Sequence, residues 1–171
     1  MLIGAEPDRP YERPPLSKEY LRREMPEEKV YLRPPGYYEE QRIELRLGVS
    51  ATKLDATEGT VELASSERIN YEKLLIATGC EVRRLNIPGT DLGGVHYLRT
   101  RAESDELAVL LQKARRVVVV GAGFIGSEVA ASARLLGKDV TILEASTVPL
   151  ARALGTKMGE VCAAIHREHG A

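Results

Sequence analysis

Val117 to Glu128 reads Val-Val-Val-Val-Gly-Ala-Gly-Phe-Ile-Gly-Ser-Glu, and this run gives the strongest prediction of secondary structure in the chain. Four successive valines predict a β-strand buried on both faces, as a parallel sheet requires. The glycines have separate predicted roles. Gly121 permits a tight turn off the strand, Gly123 lets the backbone approach a pyrophosphate, and Gly126 lets the next helix pack closely. The stretch therefore predicts a strand, a glycine loop and a helix.

The predicted helix presents its N-terminus to the glycine loop. Apolar residues recur at helical spacing and predict its buried face: Ile125, Val129, Ala133 and Leu136. Gly137 predicts its end. The unpaired N–H groups and positive dipole end of such a helix attract phosphates, so the motif needs no lysine.

A second apolar strand, Val140 to Leu143, ends at Glu144, 23 residues after Gly121. An acid at an offset of about 20 accepts hydrogen bonds from the ribose hydroxyls of a bound dinucleotide. It also repels a 2′-phosphate, and no lysine or arginine occurs before Arg152 to receive one. In this order, the features predict a dinucleotide site that prefers NADH to NADPH. The alternative is a glycine-rich turn in an ordinary α/β core.

Composition limits the classes of protein and partner. Hydrophobic residues make up 43% and charged residues 29% of the 171 residues, as in a soluble globular protein. The net charge of −1 gives no general attraction to nucleic acid or to anionic lipid. No apolar run approaches the ~20 residues of a membrane span, and the N-terminus lacks a signal-peptide pattern. We therefore expect a cytoplasmic protein that binds neither nucleic acid nor membrane.

Cysteine and histidine positions do not predict a metal site. Cys80 and Cys162 lie far apart and outside any Cys-x-x-Cys spacing. His96, His166 and His169 do not form a metal-binding or catalytic pattern either. Buried, unreactive thiols are the simpler interpretation of the cysteines.

The remaining patterns predict short elements. Seven of the nine prolines lie in the first 35 residues and predict loops and short helices there. Alternating apolar and polar residues predict a small antiparallel meander from strands at 43–47, 49–54 and 60–63. Leu74 to Gly79 predicts a buried strand that ends in a glycine. Further helices are predicted at 16–23, 37–42, 101–114 and 155–169.

Several motifs together resemble the ferredoxin and rubredoxin reductase group of the FAD-dependent pyridine nucleotide-disulfide oxidoreductase superfamily. They are Pro10–Leu21, Leu74–Gly79, Leu98–Thr100 and the glycine motif, in the family's order and over nearly the whole chain. The resemblance implies an α/β fold of two incomplete Rossmann-like, three-layer domains with parallel sheets and a small antiparallel meander. Residues 1–81 would be a partial FAD-binding domain and residues 82–171 a partial NADH-binding domain.

The resemblance also implies cofactor contacts. For FAD, the corresponding residues here are Glu6, Arg13, Pro15, Lys18, Ala77, Thr78, Gly79 and Arg99. For NADH, they are Gly121, Gly123, Ile125, Gly126, Glu128 and Glu144. Glu6 matches the acid that binds the adenosine ribose, although family members often carry Asp-Glu where this chain has Ala5-Glu6. For Glu6, Arg99 and the proline loop, ordinary surface or loop roles are the alternatives.

Lys18 and Glu128 are the catalytic candidates that the resemblance implies. Lys18 matches a lysine near the reactive nitrogen of the flavin, and Glu128 matches the carboxylate that pairs with it beneath the nicotinamide. A fixed cation stabilises the electron-rich flavin that hydride transfer leaves. The alternatives are a solvated lysine and a first-turn acid that favours the helix dipole.

The implied activity is electron transfer from NADH through FAD to a small iron–sulfur or rubredoxin-type acceptor protein. No cysteine precedes Cys80, which disfavours a dithiol substrate. Family members are more than twice as long and begin with a pyrophosphate-binding loop for FAD, so we expect a truncated form. Such a form would have open sheet edges and self-associate. A non-catalytic nucleotide-binding remnant and an NADH oxidase or nitrite-reductase-like flavoprotein are the alternatives.

Overall fold

The computed structural model describes all residues, Met1 to Ala171. Its β-strands are β1 (Leu2–Gly4), β2 (Leu45–Leu47), β3 (Ala51–Asp55), β4 (Thr60–Leu63), β5 (Arg68–Asn70), β6 (Arg116–Val120) and β7 (Asp139–Leu143). Its α-helices are α1 (Tyr37–Glu40), α2 (Arg101–Lys113), α3 (Phe124–Leu135) and α4 (Ala151–Glu168), and 3₁₀ turns occur at Pro14–Ser17 and Glu27–Lys29. None of the helices combines the length and apolar character needed to cross a bilayer.

The chain forms two compact units, of which unit 1 comprises Met1–Tyr11 and Tyr31–Glu81. In it, β1 pairs in parallel with β2, whereas β3, β4 and β5 form an antiparallel sheet in sequence order. The predicted meander is present, but its strands differ from the prediction. The 43–47 segment lies in the parallel pair, and Arg68–Asn70 supplies the third strand. A period of two indicates a strand but does not specify its partner.

The predicted buried strand at Leu74–Gly79 is wrong. These residues have no regular secondary structure, and Leu75 and Ile76 are 87% and 63% exposed. An apolar segment becomes a buried strand only when a neighbouring strand and a covering layer are available. None of the seven strands pairs with this segment.

Unit 2 comprises Glu12–Val30 and Val82–Ala171. Its sheet is the parallel pair β6–β7, in register from Arg116 opposite Asp139 to Val120 opposite Leu143. The buried apolar core is formed by Leu21, Ala108, Leu111, Val119, Val129, Ala130, Ala133 and Val140. The core therefore combines both strands, α2, α3 and Leu21 of the proline-rich segment, Glu12–Val30.

The proline-rich segment is the main departure from the domain division at residues 81 and 82. Glu12–Val30 packs with unit 2, and Leu21 is 1% exposed in that core. The predicted helix at 16–23 is instead a 3₁₀ turn, Pro14–Ser17, followed by irregular turns. Prolines are tolerated in the first turn of a helix, so Pro14 and Pro15 do not by themselves exclude the predicted helix. The unit against which such a short segment packs depends on tertiary contacts.

The valine strand is buried on one face only, contrary to the prediction of two buried faces. Val119 is 9% exposed, but Val118 and Val120 are each 60% exposed. On β7, Val140 is buried while Leu143 is 52% exposed. Alternate residues point to opposite faces of a strand, so one whole face of this sheet lacks a covering layer within the 171 residues.

Two glycines fix how the helices of unit 2 meet the loops before them. A Cβ at Gly126 would overlap the carbonyl oxygen of Gly121, so α3 approaches the loop as closely as backbone allows. A Cβ at Gly159 would overlap the Val148 side chain and lie 2.5 Å from the Pro149 carbonyl oxygen. The close packing predicted for Gly126 is thus present, and α4 makes a second such contact.

Gly126→Ala is expected to destabilise the protein strongly, by about 3 kcal/mol or more, because backbone must move to admit the methyl group. The measurement is the free energy of unfolding in urea, followed by circular dichroism. Gly123→Ala is the matched control, since a Cβ there has no neighbour within 4 Å. Its expected cost is below about 1 kcal/mol, and equal costs for the two variants would contradict the packing argument.

Candidate functional site

The glycine loop of unit 2 connects the carboxyl end of β6 to the N-terminus of α3. Gly121 adopts φ 98°, a conformation that favours glycine, and its N–H donates to the Leu143 carbonyl at 2.7 Å. Gly123 precedes the helix with φ −77° and ψ −172°, which any residue can adopt. A Cβ on Gly123 would meet nothing within 4 Å. Backbone conformation therefore explains Gly121 and close packing explains Gly126, but neither explains Gly123.

Glu144 lies at the carboxyl end of β7, where the sequence predicted a ribose-binding acid. Its carboxylate accepts from the backbone N–H of Ala122 at 2.6 Å and from that of Ser146 at 2.7 Å. The acid thus holds the glycine loop against the loop that follows β7, a role the sequence analysis missed. A carboxylate has about four acceptor positions, so these two bonds leave capacity for hydroxyl donors.

The same hydrogen bonds affect the charge of Glu144. The backbone N–H groups of Ser146 and Ala122 hold the pKa of this carboxyl below its usual range, because they stabilise the charged form. Glu144 is therefore a carboxylate at neutral pH and stays one under mildly acidic conditions. The Glu144 carboxylate can therefore accept a hydrogen bond from a ligand hydroxyl but cannot donate one.

Lys18 and Glu128, distant in sequence, form an ion pair in unit 2. Lys18 Nζ lies 3.2 Å from Glu128 Oε2, and each side chain is 34% exposed. The same Oε2 accepts from the Ser17 hydroxyl at 2.5 Å. Glu128 occupies the second turn of α3, and Lys18 follows the 3₁₀ turn that contains the buried Pro15. The structure therefore brings together the two catalytic candidates.

A small cleft beside this pair contains both predicted arginines. It is lined by Arg13, Leu16, Ser17, Leu98, Arg99 and Ile125. Arg13 Nη1 donates to the Arg99 carbonyl at 2.6 Å, and Arg99 Nε is buried without a hydrogen-bond partner in the protein. The prediction that Ile125 faces the core is wrong: it is 47% exposed, because the first turn of α3 extends beyond the core. The cleft thus offers guanidinium donors next to an apolar wall.

Unit 1 contains the other predicted cofactor residues. Glu6 lies after β1, and its carboxylate accepts from the Tyr11 hydroxyl, while its carbonyl accepts from Gly48 N–H at 2.9 Å. Ala77, Thr78 and Gly79 are exposed and have no regular secondary structure. Their roles toward FAD stay predictions.

Sequence reasoning missed two buried serines that hold the proline-rich segment in unit 2. Ser104 of α2 donates to the Leu16 carbonyl at 2.7 Å, and Ser132 of α3 donates to the Ser17 carbonyl at 2.7 Å. Both serines are at most 1% exposed. The available signal was the position of Ser132, between the core residues of α3 and four residues after Glu128.

The relatives found by comparison with known proteins are reductases by name. The chain is 46% identical over 169 residues to rhodocoxin reductase of Rhodococcus erythropolis, covering 99% of this chain and 40% of the relative. It is 44% identical over 169 residues to a ferredoxin–NAD(P)(+) reductase of a Sphingomonas species, covering 99% and 41%. The crystal structure of a ferredoxin reductase from Rhodopseudomonas palustris superimposes with a TM-score of 0.93 at 37% identity, covering 99% and 42%.

The chain spans about two fifths of the length of these relatives. The sequence model of one family, described as pyridine nucleotide-disulphide oxidoreductase, matches residues 1–171. This match and the high identities agree with the α/β fold, the parallel strands and the small antiparallel sheet. The chain belongs to the pyridine nucleotide-disulphide oxidoreductase family.

Proposed function

We propose that this chain is part of an NADH-dependent, FAD-containing oxidoreductase that passes electrons to a ferredoxin- or rubredoxin-type protein. The single observation that carries the nucleotide part is Gly123. Its backbone conformation is open to any residue and a Cβ there would meet no neighbour, so packing does not require glycine, and the N-cap position favours it only modestly. A pyrophosphate approaching the tip of α3 would require it. Glu144, fixed beside the same loop, supplies the acceptor for the ribose hydroxyls.

The flavin part of the proposal depends on the cleft in unit 2. The buried, unpartnered Nε of Arg99 fits an anionic or carbonyl-rich ligand, and Arg13 lines the same cleft. Pro15 is buried in the 3₁₀ turn that supplies Leu16 and Ser17 to that lining. FAD, when bound, supplies a carrier that takes a hydride from NADH and releases electrons singly. The Lys18 ammonium, paired with Glu128, would then provide a positive charge beside the reduced flavin, where negative charge develops.

The relatives and the cysteines support the proposed acceptor. The relatives are by name reductases of rhodocoxin and of ferredoxin. Cys80 and Cys162 are both free thiols in this chain, and Cys80 is exposed. The two cysteines do not have the spacing of a redox-active pair, which favours a protein that accepts electrons directly from the flavin over a dithiol substrate.

Gly123→Ala is expected to weaken NADH binding by at least about tenfold, because the methyl group occupies the space a pyrophosphate would take. The measurement is titration of the purified 171-residue protein with NADH, followed by nucleotide fluorescence. Gly93→Ala is the matched control, since a Cβ there also meets nothing within 4 Å and lies outside the loop.

Equal NADH affinity of the Gly123 variant and the native protein would contradict the proposed site. The same samples, supplied with FAD, separate the enzyme from the nucleotide-binding remnant. Bleaching of the flavin absorbance by NADH supports the enzyme, and NADH binding without bleaching supports the remnant.

Glu144 is expected to contribute to stability in a pH-dependent way. Its pKa is lower in the folded state, so its contribution is fully present above the ordinary glutamate pKa of about 4.3 and is lost as the pH falls through the folded value. Urea unfolding of the native protein and of Glu144→Gln, compared from pH 7 downward, checks this. The gap in unfolding free energy should be largest at pH 7 and close in acid, and a gap that widens in acid contradicts it.

Self-association through the uncovered sheet face of unit 2 is also expected. Val118, Val120 and Leu143 form an exposed apolar surface, and its burial against a second copy would be favourable. Sedimentation velocity over a wide concentration range should show a rising mass, and the double variant Val118→Thr, Val120→Thr should reduce it while keeping β-branched residues in the strand. Val109→Thr on α2 is the matched control, since Val109 is 45% exposed. A monomer at every concentration would show the expectation to be wrong.

A further inference from the structure

The ion pair between Lys18 and Glu128 is too exposed to hold its own geometry. Each side chain is 34% exposed, and water screens and competes for pairs of this kind. Both side chains also have several rotatable bonds, which a single ionic contact does not immobilise. A further contact must determine where the Glu128 carboxylate lies.

Ser17 provides that contact. Its hydroxyl donates to Glu128 Oε2 at 2.5 Å, the same oxygen that faces Lys18 Nζ. Unlike the ion pair, Ser17 is 4% exposed. A hydrogen bond from a buried donor to a charged acceptor is stronger than one at the surface, because water does not replace it.

Ser17 is itself held from two sides. Its carbonyl accepts from Ser132, which lies one helical turn after Glu128 on α3. The preceding carbonyl, of Leu16, accepts from Ser104 on α2. The peptide around Ser17 is thus fixed by two buried hydroxyls, and the Ser17 side chain is presented to the same face of α3 that carries Glu128.

We propose that Ser17 is a positioning residue that fixes the Glu128 carboxylate and, through it, the ammonium group of Lys18. As a contribution to catalysis, this role rests on the proposed function; as an arrangement of charges, it stands on the contacts in unit 2. The serine acts through Glu128 and takes no part in the chemistry itself.

The test is the NMR signal of the Lys18 side chain in the 171-residue protein with ¹³C-labelled lysine. Lys18 is assigned by the loss of its signal in Lys18→Arg. A held side chain gives two distinct Cε proton shifts, whereas the exposed Lys53 gives one averaged shift. Ser17→Ala is expected to reduce the Lys18 separation to the value of Lys53. Ser17→Thr, which keeps the hydroxyl, is expected to restore it.

Three further variants make the test specific. Ser17→Cys fills the site but donates only weakly, so it should also reduce the Lys18 separation to the value of Lys53. It replaces Ser17→Ala in the test if the alanine variant folds poorly. In a Glu128→Ala background, Ser17→Ala should have no further effect, because the serine acts only through the carboxylate. Ser65→Ala, at an exposed serine of unit 1, is the matched control and should leave the signal unchanged.

Two results would overturn the proposal: an unchanged Lys18 separation in both the alanine and cysteine variants, or an effect of Ser17→Ala that persists without Glu128. Gly123→Ala separates this proposal from the proposed function. It is expected to weaken NADH binding by at least about tenfold and to leave the Lys18 signal as in the native protein. A native protein that binds no NADH, yet responds at Lys18 to Ser17→Ala, would refute the proposed function and support the positioning role.

Discussion

The close approach of α3 to the glycine loop is the constraint on which unit 2 depends. Gly126 leaves no room for a side chain above the Gly121 carbonyl, so the helix begins directly beyond the end of β6. This contact aims the N-terminus of the helix, with its unpaired N–H groups, at the open space over Gly123. It also fixes the rotation of α3, and thereby which residues of the helix face the sheet and which face the proline-rich segment.

That rotation explains why residues far apart in sequence meet. Val129 and Ala133 face the core, while Glu128 and Ser132 lie together and bind the segment around Ser17. The segment itself contains only short 3₁₀ turns and irregular turns, whose backbone hydrogen bonds stay within the segment. Its attachment to α3 through a carboxylate and a hydroxyl, together with the bond from Ser104 and the burial of Leu21, places residues 12–30 in unit 2.

The features that the sequence predicts correctly are local ones. Gly121, Gly126 and the strand before them could be predicted because a tight turn and a close helix contact have requirements within a few residues. The exposure of Val118 and of Leu75 could not be predicted, because burial of an apolar segment depends on partners elsewhere in the fold. The bond from Ser17 to Glu128 spans 111 residues, and neither residue type alone indicates the other. The resemblance gave the lysine and the glutamate, but not the serine that holds them.

Glu144 joins the architecture of the loop to the proposed ligand. Because its carboxylate accepts from Ala122 N–H, the charge that would receive the ribose also holds the backbone that would receive the pyrophosphate. A nucleotide bound to both would stabilise this arrangement, since a ligand that binds only the folded loop shifts the equilibrium toward it. Substitution of this acid would therefore affect both the loop and the proposed sugar contact. Substitution of Gly123 would affect the proposed phosphate contact at little cost in packing, so the glycine distinguishes binding from folding better than the acid does.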